Sequence, residues 1–123
     1  MSLPTSRDEI LLLHNPNCSK SRATLALLEE RGVDFRTRLY LENPLGEEEL
    51  AELAGRLGKS PREFARVNQA EFTEAGLDES SGSEEILSVM ARSPILLERP
   101  ILVRGDQAKV GRPPEDVLLL LDD

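Results

Sequence analysis

Ile10-Leu11-Leu12-Leu13-His14-Asn15-Pro16-Asn17-Cys18-Ser19-Lys20-Ser21-Arg22 is the stretch on which the reading of this chain turns. Its first four residues form an unbroken apolar run, the pattern of a strand buried on both faces. His14-Asn15-Pro16-Asn17 closes that run with turn-forming residues. From Ser19 to Arg31, Leu25, Ala26, Leu27 and Leu28 recur among charged and hydroxyl side chains until Gly32, which predicts a helix of about three turns with a glycine stop. Cys18 therefore falls where a strand has ended and a helix begins. A helix N-terminus carries unpaired N–H groups and roughly half a positive charge, and both favour a thiolate over a thiol. Since the thiolate is the attacking form, this placement converts an ordinary cysteine into a nucleophile near neutral pH. The same donors suit an oxyanion. A cysteine serving only as a small core residue would have apolar neighbours. Cys18 instead has Asn15, Asn17, Ser19, Lys20, Ser21 and Arg22 around it. Ser19 and Ser21 add hydroxyl donors, Arg22 adds a cation one turn along, and His14 offers an imidazolium if it ionises.

Outward from this stretch, Asp34 to Leu41 alternates polar and apolar residues, Phe35, Leu39 and Tyr40 among them, before Asn43-Pro44. That alternation predicts a second strand and hence a βαβ opening with a right-handed crossover. Gly46-Glu47-Glu48-Glu49 puts acids in the first turn of a helix with Leu50, Leu53, Ala54 and Leu57 on its apolar face and Gly58 as its stop. Ser60-Pro61-Arg62-Glu63 repeats the start signal and predicts a short third helix carrying Phe64 and Val67. Asp78 to Ser83 reads as a polar loop, and Ser83-Glu84-Glu85 opens a helix through Ile86, Leu87, Val89 and Met90. Ile101-Leu102-Val103, a turn at Arg104-Gly105-Asp106-Gln107 and Ala108-Lys109-Val110 predict an antiparallel hairpin. Pro113-Pro114 leads into a last helix, Glu115 to Leu121, with Val117, Leu118 and Leu121 inward. The expectation is one α/β domain over residues 1–123, with a mixed sheet of about four strands and a helical insert at about 46–93 between a βαβ and a ββα half.

Composition limits what such a domain does. Fifteen Lys and Arg against 23 Asp and Glu leave a net charge of −8, which argues against nucleic acid as a partner. No apolar run is long enough to cross a bilayer and the first residues lack the order of a secretory signal, so a cytoplasmic protein is expected, and a monomer. One cysteine forms no internal disulfide, so any redox cycle recruits an outside thiol. One Cys and one His fall short of an ordinary metal site. Three arginines stand in constrained settings: Arg62 just inside a helix, Arg99 before Pro100 and Arg112 before Pro113. Guanidinium forks bind tetrahedral oxyanions bidentately, although charge alone does not rank these three above Arg22, Arg66 and Arg104.

The run from His14 to Arg22, Ser60-Pro61-Arg62, Pro94-Ile95-Leu96-Leu97-Glu98-Arg99-Pro100 and Gly111-Arg112-Pro113-Pro114 together resemble the arsenate reductases that depend on glutathione and glutaredoxin. The resemblance extends from about Glu9 to Leu121 and implies a thioredoxin-like fold of the glutaredoxin type. It implies that Cys18 attacks arsenate while Arg62, Arg99 and Arg112 hold the oxyanion, with His14, Ser19, Ser21 and Arg22 in support. It further implies a cis peptide at Arg99-Pro100, no bound cofactor, and glutathione as co-substrate. In that scheme glutathione attacks the arsenylated Cys18, arsenite leaves, and glutaredoxin clears the mixed disulfide. Two other functions are compatible with the residues: an interaction module of the Spx type, where Ser21 replaces the second cysteine of Cys-x-x-Cys, and a protein that handles glutathione mixed disulfides.

Overall fold

The computed structural model describes residues 3–121. The chain forms two compact units, one built from the segment up to Asn43 and again from Arg99 onward, the other from Pro44–Glu98.

The first unit is a mixed four-stranded sheet with one helix and a terminal 3₁₀ segment. Its elements are β1 (Ile10–His14), α1 (Ser19–Glu30), β2 (Arg36–Leu39), and, after the second unit's residues, the last two strands and a 3₁₀ helix at Pro114–Leu120. β1 pairs in parallel with β2, from Leu11 opposite Arg36 to His14 opposite Leu39. The strand Ile101–Arg104 runs antiparallel to β1, and Gln107–Val110 runs antiparallel to it in turn at the sheet's other edge. The two central strands explain the unbroken apolar runs: Leu11, Leu12, Leu13, Ile101, Leu102 and Val103 are all fully buried. Leu12 and Leu102 meet Leu28 of α1 and Val117 and Leu120 of the terminal segment in one core cluster.

Two expectations for this unit need correction. The second strand is shorter than the predicted Asp34 to Leu41, and the residue it turns inward is Arg38, which is 3% exposed, while Leu39 is 37% exposed. The Arg38 Nε donates to the Asn43 carbonyl at 2.9 Å, so its charged end meets a backbone acceptor at the close of the strand. The last helix is 3₁₀ and not α. With three residues per turn, Val117 and Leu120 stack on one face, whereas the predicted Leu118 and Leu121 are only half-buried.

The second unit is helical. It holds α2 (Glu47–Leu57), a 3₁₀ turn at Pro61–Phe64, α3 (Ala70–Glu74), α4 (Ser83–Arg92) and a 3₁₀ turn at Pro94–Leu96. The segment read as a helical insert falls inside it. Leu50 and Leu53 of α2 and Ile86, Val89 and Met90 of α4 are buried. Gly58 ends α2 in the left-handed conformation, φ +67°. The predicted third helix is a single 3₁₀ turn, and Val67 is exposed. The chain turns extended at Ala65 because two segments pair there: Ala65 bridges Leu97, Arg66 N–H donates to Leu96 at 2.7 Å, and Glu98 N–H donates to Phe64 at 2.9 Å. The short α3, which buries Phe72, was not anticipated. Among the described residues no helix is long and apolar enough to cross a membrane.

Candidate active site

The loop after β1 is built from its own polar groups. Cys18 is the N-cap of α1, with extended backbone at φ −106° and ψ 124°. Its carbonyl accepts from Arg22 N–H at 2.9 Å, and its own N–H donates to the Asn15 carbonyl at 3.0 Å. The Asn15 side chain accepts from Asn17 N–H at 3.0 Å, an Asx turn that directs the chain into the helix. Arg22 folds back so that one Nη donates to the Pro16 carbonyl at 2.9 Å.

Ser21 is fully buried beneath this loop, its Oγ 2.6 Å from His14 Nδ1 and 2.9 Å from the Asn15 nitrogen. Asn15 N–H donates into that oxygen, and the Ser21 hydroxyl and His14 Nδ1 share a second hydrogen bond. Burial, and after it the Arg22 cation, hold His14 below its ordinary pKa. Of the two states left open for His14, the imidazolium is the disfavoured one, and the ring holds the loop through Ser21.

Cys18 is half-buried. Burial alone pushes its thiol pKa up, but the backbone N–H groups of Ser21 and Lys20 and the charge and hydrogen bond of Arg99 outweigh it, so the net shift is downward. The helix terminus and one guanidinium thus act on the same sulfur. Arg99 precedes a cis peptide to Pro100, and Arg112 precedes another to Pro113, the second of which was not anticipated. Arg112 Nη1 donates to the Arg99 carbonyl at 3.2 Å, and Gly111 N–H donates to the Pro100 carbonyl at 2.8 Å. Arg112 is exposed and so is Ser19, the first residue of α1.

Cys18, Arg99 and Arg112 therefore form one connected group within the first unit. Arg62 belongs to the second unit, where one Nη donates at 2.9 Å to both the Asp78 and Ser81 carbonyls and its guanidinium lies 6.0 Å from the Phe72 ring centre. The sequence reading took Asn15 only as a turn former, quoted Gly111 without giving it a part, and passed over Thr24. Gly111 is tightly enclosed: a Cβ added there would lie 3.0 Å from Pro100 Cγ, 3.0 Å from Thr24 Oγ1 and 3.2 Å from Val117 Cγ1. A glycine directly before Arg-Pro was the available signal. Among the described residues no group of three or more His, Cys, Asp or Glu is placed to hold a metal ion.

Residues 13–120 match the sequence pattern of the ArsC family. The chain belongs to that family. Within ArsC relatives it is 40% identical to an arsenate reductase of Haemophilus influenzae, over 91% of this chain and 98% of the relative. It is 43% identical to an arsenate reductase of Neisseria meningitidis, over 92% and 98%, and 46% identical to the protein YfgD of Escherichia coli, over 89% and 94%. The solved structure of an arsenate reductase from Vibrio cholerae superposes with a TM-score of 0.87 at 41% identity, covering 91% of this chain and 97% of that one. The ArsC architecture is thioredoxin-like, and the four-stranded mixed sheet with α1 seated after β1 is its expression here.

Proposed function

We propose that this chain is an arsenate reductase in which the Cys18 thiolate attacks arsenate, glutathione supplies the reducing thiol, and glutaredoxin returns Cys18 to its resting state. The observation that carries the reading is the half-buried Cys18 sulfur facing the N–H groups of Lys20 and Ser21 and the Arg99 guanidinium. Such a site stabilises negative charge on the sulfur before reaction and offers donors to an oxyanion as it arrives. Attack displaces an arsenate oxygen as water and forms a Cys18 S–As bond. Glutathione thiolate then attacks the Cys18 sulfur, the S–As electron pair passes to arsenic, and arsenite leaves. Arsenic gains two electrons and the two sulfurs become a disulfide, which balances the step. The lone cysteine fits this cycle, since each disulfide is resolved from outside.

Arg99 and Arg112 are the proposed oxyanion holders from the first unit, and Arg62 is the third guanidinium the family resemblance assigns. The enzyme is proposed to work as a cytoplasmic monomer without a bound cofactor. A coupled assay with arsenate, glutathione, glutaredoxin and NADPH tests the reading. Cys18→Ser is expected to abolish arsenate-dependent NADPH oxidation, and turnover that survives this substitution refutes it.

A further inference from the structure

Thr24 is fully buried on α1, and its hydroxyl shares a small space with apolar side chains. A Cβ at Gly111 would meet Thr24 Oγ1 at 3.0 Å together with Pro100 Cγ at 3.0 Å and Val117 Cγ1 at 3.2 Å. Valine has nearly the shape of threonine and no polar group to desolvate, so it would fill such a place at less cost. The Thr24 hydroxyl donates to the Lys20 carbonyl at 3.0 Å. A threonine inside a helix commonly bonds back to the fourth residue before it, and that habit by itself would satisfy the hydroxyl.

What sets Thr24 apart is the carbonyl it reaches. Lys20 C=O and Ser21 N–H are the two ends of one planar peptide unit. That Ser21 N–H is one of the two amides that face the Cys18 sulfur. The helix ladder already gives the Lys20 carbonyl the main-chain N–H of Thr24, so the hydroxyl is a second donor to the same oxygen. Electron density drawn toward the oxygen leaves the N–H more positive, and hydrogen bonds in such a chain strengthen one another by roughly 10–30% each. The far side of the unit is held as well: Ser21 Oγ lies 2.6 Å from His14 Nδ1 and accepts from Asn15 N–H at 2.9 Å. The peptide that points at the sulfur is thus fixed in direction by contacts at both of its residues.

We propose that Thr24 is a positioning residue for the nucleophile: its buried hydroxyl orients and polarises the Lys20–Ser21 peptide, whose N–H then holds the Cys18 sulfur in its charged form. The proposal rests on the reading of Cys18 as a thiolate nucleophile and adds a residue that acts on it only through the intervening peptide. The hydroxyl's position beneath Gly111 also explains why a side chain is excluded there, since a methyl group would press on the atom that bonds to Lys20.

The test reads Cys18 directly. It is the only cysteine, so the rate of alkylation by iodoacetamide across pH reports its ionisation alone, without arsenate. The other charged and titratable groups about the loop, His14, Lys20, Arg22, Arg99 and Arg112, are the same in every variant. Thr24→Val is expected to raise the midpoint of the profile by about 0.3 pH unit, which leaves roughly half as much thiolate at any pH well below it. Thr24→Ser keeps the hydroxyl and loses a buried methyl, so it is expected to melt at a lower temperature and yet titrate as the unaltered protein does. Thr24→Ala differs from the Ser variant by the hydroxyl alone, should shift as the Val variant does, and decides the matter if valine prevents folding. Midpoints that stay in place in the Val and Ala variants, or an equal shift in the Ser variant, reduce Thr24 to packing and overturn the proposal. An unaltered protein whose Cys18 titrates as a free thiol overturns the proposal and the thiolate reading together. The expected pattern of shifts without arsenate turnover sinks only the reductase.

Discussion

Gly111→Ala is the substitution whose effect follows most directly from the packing of the site. Its Cβ would sit 3.0 Å from Pro100 Cγ, 3.0 Å from Thr24 Oγ1 and 3.2 Å from Val117 Cγ1. None of these neighbours yields easily. The Pro100 atom belongs to a closed ring, the Thr24 hydroxyl is held 3.0 Å from the Lys20 carbonyl, and Val117 is fully buried in the core. Overpacking of this kind costs about 1–3 kcal/mol. Alanine restricts the unfolded chain and returns about 0.4–1 kcal/mol. The net loss is about 1–2 kcal/mol, or roughly 3–8 °C in Tm for a chain of this size. The displaced groups also lead to the site, since Pro100 follows Arg99 and Thr24 lies on the helix that Cys18 caps. Thermal melting should therefore show the lower Tm, and iodoacetamide alkylation at pH 7 should show slower reaction of Cys18. Gly55→Ala is the control, at a helical position with nothing within 4 Å of the added Cβ. It should stabilise by about 0.5–1 kcal/mol. A Gly111→Ala protein that melts as high as the Gly55→Ala protein, with unaltered alkylation, would show that the contacts yield and refute the reasoning.

Arg99→Gln should shift the pH dependence of Cys18 alkylation upward, because it removes the charge and hydrogen bond that help the backbone amides lower the thiol pKa. It should also cut kcat/KM for arsenate by about a hundredfold or more, the usual effect of losing one donor to a reacting oxyanion, and an unmoved alkylation profile would remove Arg99 from the site. His14, the only histidine, gives a single imidazole signal by NMR and should titrate below 6.5. Its unfolded form takes up a proton that the folded form refuses, so the unfolded state binds more protons and stability falls as pH drops through about 6.5. Urea unfolding at pH 7.5 and 5.5 measures that loss, and a His14 signal titrating above 6.5 would reverse its sign.

The sequence was most legible where one local signal agreed with the long-range packing. The apolar run at Ile10 became the central strand, Gly32 and Gly58 stopped their helices, and the turn at Gly105 joined the hairpin. Legibility failed where tertiary contact overrode pattern. Alternation over Asp34 to Leu41 counted Leu39 among the apolar residues of the strand, but the strand lies at the sheet's edge, Leu39 is exposed, and Arg38 turns inward to the Asn43 carbonyl. The start signal at Ser60 was real, yet pairing of Ala65 with Leu97 ended the helix after one turn. At the site, residue types pointed to Cys18 at the helix start because helix position acts through the backbone, which every sequence shares. The protonation of His14 was not legible, because it depends on burial and on the Arg22 cation that the fold brings near the ring.

That division between backbone and side chain bears on how the site would handle two anions in turn. Before substrate arrives, the amides of Lys20 and Ser21 and the Arg99 guanidinium all favour the thiolate. In the proposed reaction an incoming oxyanion would compete for the guanidinium, since a planar fork holds two oxygens through two parallel N–H groups along one edge. The amides cannot follow the substrate, because α1 fixes their direction, with Cys18's carbonyl tied to Arg22 and its N–H to Asn15. A sulfur held by arginines alone would lose much of its stabilisation as the substrate bound. In the proposed reaction a sulfur held by the helix terminus would keep its negative charge while Arg99, whose carbonyl accepts from Arg112, offered its donors to the substrate. On the proposed reading the helix N-terminus would maintain the nucleophile and the arginines would serve the electrophile, with the Lys20 and Ser21 amides and Arg99 all acting on the one sulfur of half-buried Cys18.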